Sequence, residues 1–223
     1  MKKIKDGFLK ILPLWPCTYF LVYLLVFKLL ETRITGSFTV IHMDVDEYIP
    51  FCEYFIIPYL LWFPMIGVSV GYFFLKEREE YKRLLAFLFT GMTLFLVISA
   101  VLPNGHIMRP VFFEHDNIFT ALVKNLYAAD TETNVFPSIH VYNSVAVCCV
   151  VYHSRTLKKK RVVKALTMLL TVLIILATLF LKQHSVADDL GAFLMAAVVY
   201  RFVYEPALCP FKEPANAQFK RVA

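Results

Sequence analysis

Long apolar runs separated by short, polar, basic connectors set the pattern of this chain. Six runs approach the roughly 20 residues that a helix needs to cross a bilayer core: residues 11–30, 52–75, 84–102, 138–152, 162–181 and 186–204. They predict an all-α integral membrane bundle of six transmembrane helices. The fourth run is the shortest, so its outer end is expected a little below the membrane surface. The first follows Met1-Lys2-Lys3-Ile4-Lys5 as a signal peptide would, but no small-residue cleavage site comes after it and Pro16 precedes Cys17. It reads as an uncleaved span. Pro13 and Pro16 should kink or delay that helix, and Pro58 and Pro64 should interrupt the second. Gly67-Val68-Ser69-Val70-Gly71 is a GxxxG pattern, read as close packing within the bundle ahead of a dimer contact.

Charge gives this pattern a direction. Of the 23 lysines and arginines, all but Lys28, Arg33, Arg109, Lys124 and Lys182 fall in the N-terminal segment, the second-to-third connector (76–83), the fourth-to-fifth connector (155–164) or the C-terminal segment. Basic residues stay on the cytoplasmic side, which puts both termini there. The protein is expected to be multi-pass in the cell membrane, with the region 103–136 and the 181–186 turn on the non-cytoplasmic face.

Composition sharpens the class. The chain is 59% hydrophobic and 16% aromatic, with a mean hydropathy of +0.62, which is more apolar than a soluble domain. The 223 residues make a single domain spanning 1–223. A net charge of +6 could serve nucleic acid, but the charges cluster between spans, so no nucleic-acid partner is expected. Cys17, Cys52, Cys148, Cys149 and Cys209 show no CxxC spacing, and neither a disulfide nor zinc is read from them.

Polar residues near membrane depth are few and grouped. Arg109-Pro110 follows the third span, Pro137-Ser138-Ile139-His140 opens the fourth, and Lys182-Gln183-His184 with Asp188 joins the fifth to the sixth. All three groups belong to the outer face. Ionisable groups there are costly unless paired or wet, so their clustering reads as a site. His184 and Asp188 are four apart and share a helix face if the sixth helix begins near His184. A carboxylate on one imidazole nitrogen fixes the tautomer and leaves the other free to attack. His140 sits in the first turn of its helix, where the N–H groups around Ser138 and Ile139 can hold an anion. Arg109 and Lys182 add donors suited to phosphate. This is the inventory of a phosphoryl-transfer site. The competing reading, ordinary interfacial residues with capped or hydrogen-bonded histidines, fits a lone histidine better than three clusters on one side.

These residues resemble the type 2 phosphatidic acid phosphatase superfamily, whose motifs read KxxxxxxRP, PSGH and SRxxxxxHxxxD. Their order, their placement at helix ends and the six-span layout all agree. The resemblance implies a metal-independent mechanism through a phosphohistidine, without a cofactor. It makes His184 the nucleophile, Asp188 its orienting carboxylate and His140 the proton donor to the leaving oxygen, with Arg109, Ser138, Ile139 and Lys182 on the phosphate. The expected substrate is a phospholipid or isoprenoid phosphate, met among membrane lipids. The chain departs from the pattern at Leu102, Ile139, Ala177 and Thr178, where the family has lysine, glycine, serine and arginine. Lys182, or less directly His106, could replace a missing cation. The departures resemble the branch of inositol phosphorylceramide and sphingomyelin synthases, so lipid phosphatase and lipid phosphotransferase both stand.

Other residues carry plainer expectations. His42, Asp44, Asp46 and Glu47 read as a solvated acidic loop, not a metal site. Glu114, His115, Asp116, Asp130 and Glu132 could touch a headgroup. Trp15, Tyr23 and Trp62 need only an interfacial or packing role. An anion channel or transporter would want charges near the midplane and paired repeats, which the chain lacks.

Overall fold

The computed structural model describes residues 15–33 and 38–205. Within them the chain forms seven α-helices: α1 (Trp15–Arg33), α2 (Ile56–Lys76), α3 (Arg78–Val101), α4 (Ile118–Ala129), α5 (Ile139–His153), α6 (Arg161–Phe180) and α7 (Val186–Tyr204). Two short 3-10 turns, Asp44–Tyr48 and Glu53–Phe55, precede α2. A two-residue parallel pair joins β1 (Thr39–Val40) to β2 (Asn104–Gly105). The N-terminal lysines, Pro13, Cys209, Lys212, Lys220 and Arg221 lie outside the described residues.

Every predicted run contributes a helix, but the runs are not equivalent. Four helical segments are long and apolar enough to cross a membrane: Trp15–Arg33, Glu53–Lys76, Arg78–Val101 and Arg161–Phe180. The fourth predicted run forms α5, which has only 15 residues. The sixth forms α7, which carries Asp188, Asp189 and Arg201. Pro58 falls in the first turn of α2 and the helix runs on through Pro64. Sequence periodicity also left 103–136 as a connector, whereas it contains α4 and β2.

The short helix is the centre of the bundle. α5 packs against α3, α6 and α7, and α2 against α3 and α6. Val141, Tyr142, Ala146, Val147, Val150 and Val151 on α5 are all buried, as expected of a helix that is apolar nearly all round and enclosed by others. α1 lies on the outside of α3, where Tyr19 stacks on Phe89 at 3.9 Å between ring centroids.

Close approach of α3 to α5 requires Gly91. A Cβ there would overlap the Tyr142 ring, whose hydroxyl donates to the Phe87 carbonyl at 2.8 Å. Gly67 and Gly71 do not do what the GxxxG reading expected. Among the described residues, a Cβ at either would meet nothing within 4 Å, so neither brings two of the described helices together.

One carboxylate gathers the two central basic connectors at the same end of the bundle. Glu77 accepts from Ser154 Oγ at 2.6 Å, Arg155 N at 2.9 Å and Thr156 Oγ1 at 2.9 Å. Burial works against its charge, but these donors hold its pKa below the usual carboxylate value.

Gly91→Ala should destabilise the fold by about 1–3 kcal/mol, the usual cost of overpacking. Thermal unfolding in detergent checks this, and Tyr142→Phe, which keeps the ring in the notch, should lose less.

Candidate active site

The site is built where α6 hands over to α7. The Thr178 carbonyl accepts from Gln183 N at 2.9 Å and His184 N at 3.1 Å, closing the turn. Lys182 takes the left-handed conformation in this turn, with φ 50°. Ser185 then caps α7. Its Oγ accepts from Ala187 N, and Asp188 Oδ2 reaches back to accept from Ser185 N at 2.8 Å. This is a reciprocal capping box. The same Oδ2 stands 3.4 Å from His184 Nδ1. The helix begins at Val186, where the sixth apolar run was expected to start and two residues past His184, yet the i,i+4 pair still meets. Burial alone would lower the His184 pKa; Asp188, with Asp189 and Asp130, outweighs it and holds the imidazole above its usual value.

The second histidine comes from the start of α5. Asn104, fully buried, holds the approach: its Oδ1 accepts from Val135 N at 2.9 Å and Phe136 N at 2.8 Å. Ser138 caps α5 and its N–H donates to the Asp188 carbonyl at 3.1 Å, which locks the two helix starts together. Gly191 permits this contact, because a Cβ there would press on the Phe136 ring. His140 lies between Tyr59 and Trp62, each 4.6 Å away by ring centroids. Its ring is 5.8 Å from that of His184.

Both histidines line one cavity of about 260 Å³. Ile139, Gln183, Asp130, Thr131, Thr133 and Asn134 share its wall, and the remainder is apolar and aromatic, including Tyr23, Phe27, Tyr59, Trp62 and Phe95. Several buried polar atoms in this region, among them His140 Nδ1, His184 Nδ1, Gln183 Nε2 and Asp188 Oδ1, have no hydrogen-bond partner among the described residues. Such orphans mark places where a ligand belongs. The first-turn N–H groups of α5 likewise lack intrahelical acceptors.

Of the residues singled out in the sequence, His140, His184, Asp188, Ser138 and Ile139 come together. Arg109 and Lys182 are engaged elsewhere. The Arg109 guanidinium donates to the carbonyls of Asp130 (2.7 Å), Thr131 (3.1 Å) and Tyr127 (3.3 Å) and to Gln183 Oε1 (2.7 Å). It also lies over the Tyr127 ring. Its fork is spent on clamping the segment after α4, leaving no open pair of donors for phosphate. Lys182 donates to the Asp46 carbonyl at 2.7 Å and lines a separate cavity with His42 and Met108. His106 is no substitute cation. It is fully buried, bonded through Nε2 to the Gln183 carbonyl at 2.8 Å, and burial pushes its pKa down to about 4. Among the described residues lining the histidine cavity, none is lysine or arginine.

Sequence reasoning also missed participants. Trp62 and Tyr23, given an interfacial or packing role, pack in the core and also line the cavity. Asp46 is 3% exposed, so it is not part of a solvated loop. Thr178 donates to Asp189 at 3.2 Å. A tryptophan six residues into a span offers no signal that a histidine from another helix will stack on it.

Comparison with known proteins agrees with this geometry. The family model described as PAP2 superfamily matches residues 84–206. That is more than half of the chain and includes both histidines and Asp188, and the chain belongs to this superfamily. Its members are phosphatases or related phosphotransferases acting on phosphate esters. No curated protein and no solved structure matches the chain.

If Arg109 is a clamp, Arg109→Lys should lower stability by roughly 2 kcal/mol, because one ammonium cannot reach four acceptors. Thermal unfolding measures it; an unchanged melting point with a raised KM would instead mark a phosphate ligand.

Proposed function

We propose that the protein is a membrane lipid phosphatase that cleaves a lipid phosphate or diphosphate ester through a phosphohistidine on His184. The observation that carries this reading is the shared cavity of His140 and His184, with Asp188 against the Nδ1 face of His184. His184 Nε2 attacks phosphorus and the bond to the leaving oxygen breaks while His140 supplies that oxygen with a proton. His140 then takes a proton from water, which attacks the phosphohistidine and frees inorganic phosphate and His184. Asp188 stabilises the imidazolium, and the first-turn N–H groups of Ile139 and His140, next to the Ser138 cap whose own N–H is given to the Asp188 carbonyl, hold phosphate oxygens. The aromatic wall formed by residues of α1, α2 and α3 suits a lipid that keeps its tails in the bilayer while its ester meets the histidines.

A second reading, transfer of a phospho-headgroup to a lipid alcohol, draws support from the charge of the cavity. Asp130 lines it and no described lysine or arginine does. Burial pushes the Asp130 carboxyl above its usual range, against the pull of Arg109 and His184. A singly charged diester meets less repulsion there than a doubly charged monoester.

The topology in this reading has six spans, both termini in the cytoplasm and the histidines on the non-cytoplasmic face. The tie at Glu77 supports it, since the basic connectors meet at the opposite end of α5 from Ser138.

His184→Ala should abolish turnover. Free phosphate from phosphatidic acid or a polyprenyl diphosphate, in excess EDTA and with no added alcohol, is the expected product. A new headgroup lipid formed only when diacylglycerol or ceramide is added would favour the transferase. For sidedness, a cysteine at Phe112, which is 88% exposed, should react with an impermeant thiol reagent in intact cells. A cysteine at Lys159 should react only after the membrane is opened; the reverse pattern would invert the topology.

A further inference from the structure

The acidic loop before α2 contributes a side chain to the catalytic helix that nothing in the motifs assigns. Asp46 comes from the 3-10 turn Asp44–Tyr48, ahead of the segment matched by the family. Its carboxylate is almost fully buried and spans the start of α7. Oδ2 accepts from Ser185 Oγ at 2.5 Å and Oδ1 from Val186 N at 2.9 Å. Oδ2 also accepts from Met43 N at 2.8 Å, and the Asp46 carbonyl accepts from Lys182 Nζ at 2.7 Å. His42 Nδ1 lies 3.6 Å from the carboxylate. Asp46 therefore grips the chain on both sides of His184, at Lys182 and at Ser185–Val186.

The grip continues inward. Ser185, held by Asp46, donates its N–H to Asp188 Oδ2, and that oxygen faces His184 Nδ1. We infer that Asp46 is a positioning residue for the phosphoryl-transfer site, acting on His184 through Ser185 and Asp188. An exposed acid at a helix start would contribute only a weak dipole interaction. A buried one with two donors on the cap residue and its neighbour fixes where the cap stands, and hence where the Asp188 carboxylate points. It also accounts for Lys182: the lysine holds the loop that holds the helix.

The titratable and charged groups around His184 come from several elements. Asp188 and Asp189 lie on α7, Asp130 follows α4, His140 opens α5, and His106 with Arg109 lies in the connector after α3. Asp46 reaches His184 only through the cap, and this separates a relay from a direct field. The imidazole keeps its raised affinity for a proton while Asp188 is aimed at it. Loosening the cap lets the carboxylate turn away and the affinity falls.

The inference rests on His184 being the nucleophile, but its test does not. Histidine side chains of the full-length protein in detergent micelles are titrated by nitrogen-15 NMR, with His184→Ala assigning the signal. Asp46→Ala should shift the His184 titration to lower pH, and Asp46→Asn, which keeps the size, should shift it in the same direction if the alanine variant does not fold. In an Asp188→Asn background the Asp46 substitution should cause no further shift, since the relay is already cut. An unchanged titration in folded Asp46 variants, or a full additive shift on top of Asp188→Asn, would overturn the relay. With dioctanoyl phosphatidic acid as probe, kcat of the Asp46 variants should fall roughly tenfold to a hundredfold while KM holds. Wild-type protein inert on that lipid and on the wider panel would count against the proposed reaction alone, and the titration would still decide the relay.

Discussion

Burying the N-terminus of a helix obliges the protein to find acceptors for N–H groups that the helix itself cannot satisfy. α7 starts inside the structure, and every N–H from Ser185 to Asp188 is met: by Asp188, Asp46, the Ser185 hydroxyl and the Ser185 carbonyl. One of the two carboxylates recruited for this, Asp188, faces His184 Nδ1, and the other, Asp46, fixes the cap that holds it, so the solution to a folding requirement also sets the surroundings of the proposed nucleophile. The same helix start receives the Ser138 N–H through the Asp188 carbonyl. The two histidines are thus fixed to each other by main-chain bonds rather than by loops.

How much of this could be seen in the residues alone depended on the range of the interactions. Apolar runs are local, and each produced a helix; α4 escaped because its 12 residues are shorter than a span and lie in a mixed segment. The histidines, Asp188 and the Ser138 cap were legible because helix ends carry local signals in serine, proline and i,i+4 spacing. What could not be read was commitment across distance. Arg109 and Lys182 have the chemistry of phosphate ligands, but the carbonyls that occupy them belong to residues 18 to 136 positions away. Asp46 resembled its solvated neighbours because nothing within a few residues reveals that the cap of α7 will fold onto it.

The cavity that results differs from a simple anion trap. Its charge-bearing wall consists of two imidazoles and a carboxylate, with aromatic rings opposite. Positive charge is held one layer back, in Arg109 and Lys182, where it stabilises the segments that shape the cavity. In the proposed reaction, electrostatic stabilisation of a phosphate there comes from His184 and from helix amides, which are directional and fixed. Such a site rewards the right geometry of an ester more than its total charge.

The notch at Gly91 adds a mechanical constraint on that geometry. Tyr142 occupies it from α5, two residues past His140, and its hydroxyl is bonded to the Phe87 carbonyl one turn earlier on α3. A helix advances about 1.5 Å per residue, so sliding α5 by a single residue would drive the ring into the α3 backbone. The ring works as a key in a slot. It permits α5 one axial position, and the depth of His140 in the cavity is therefore set inside the bundle, well away from the connectors at the helix ends.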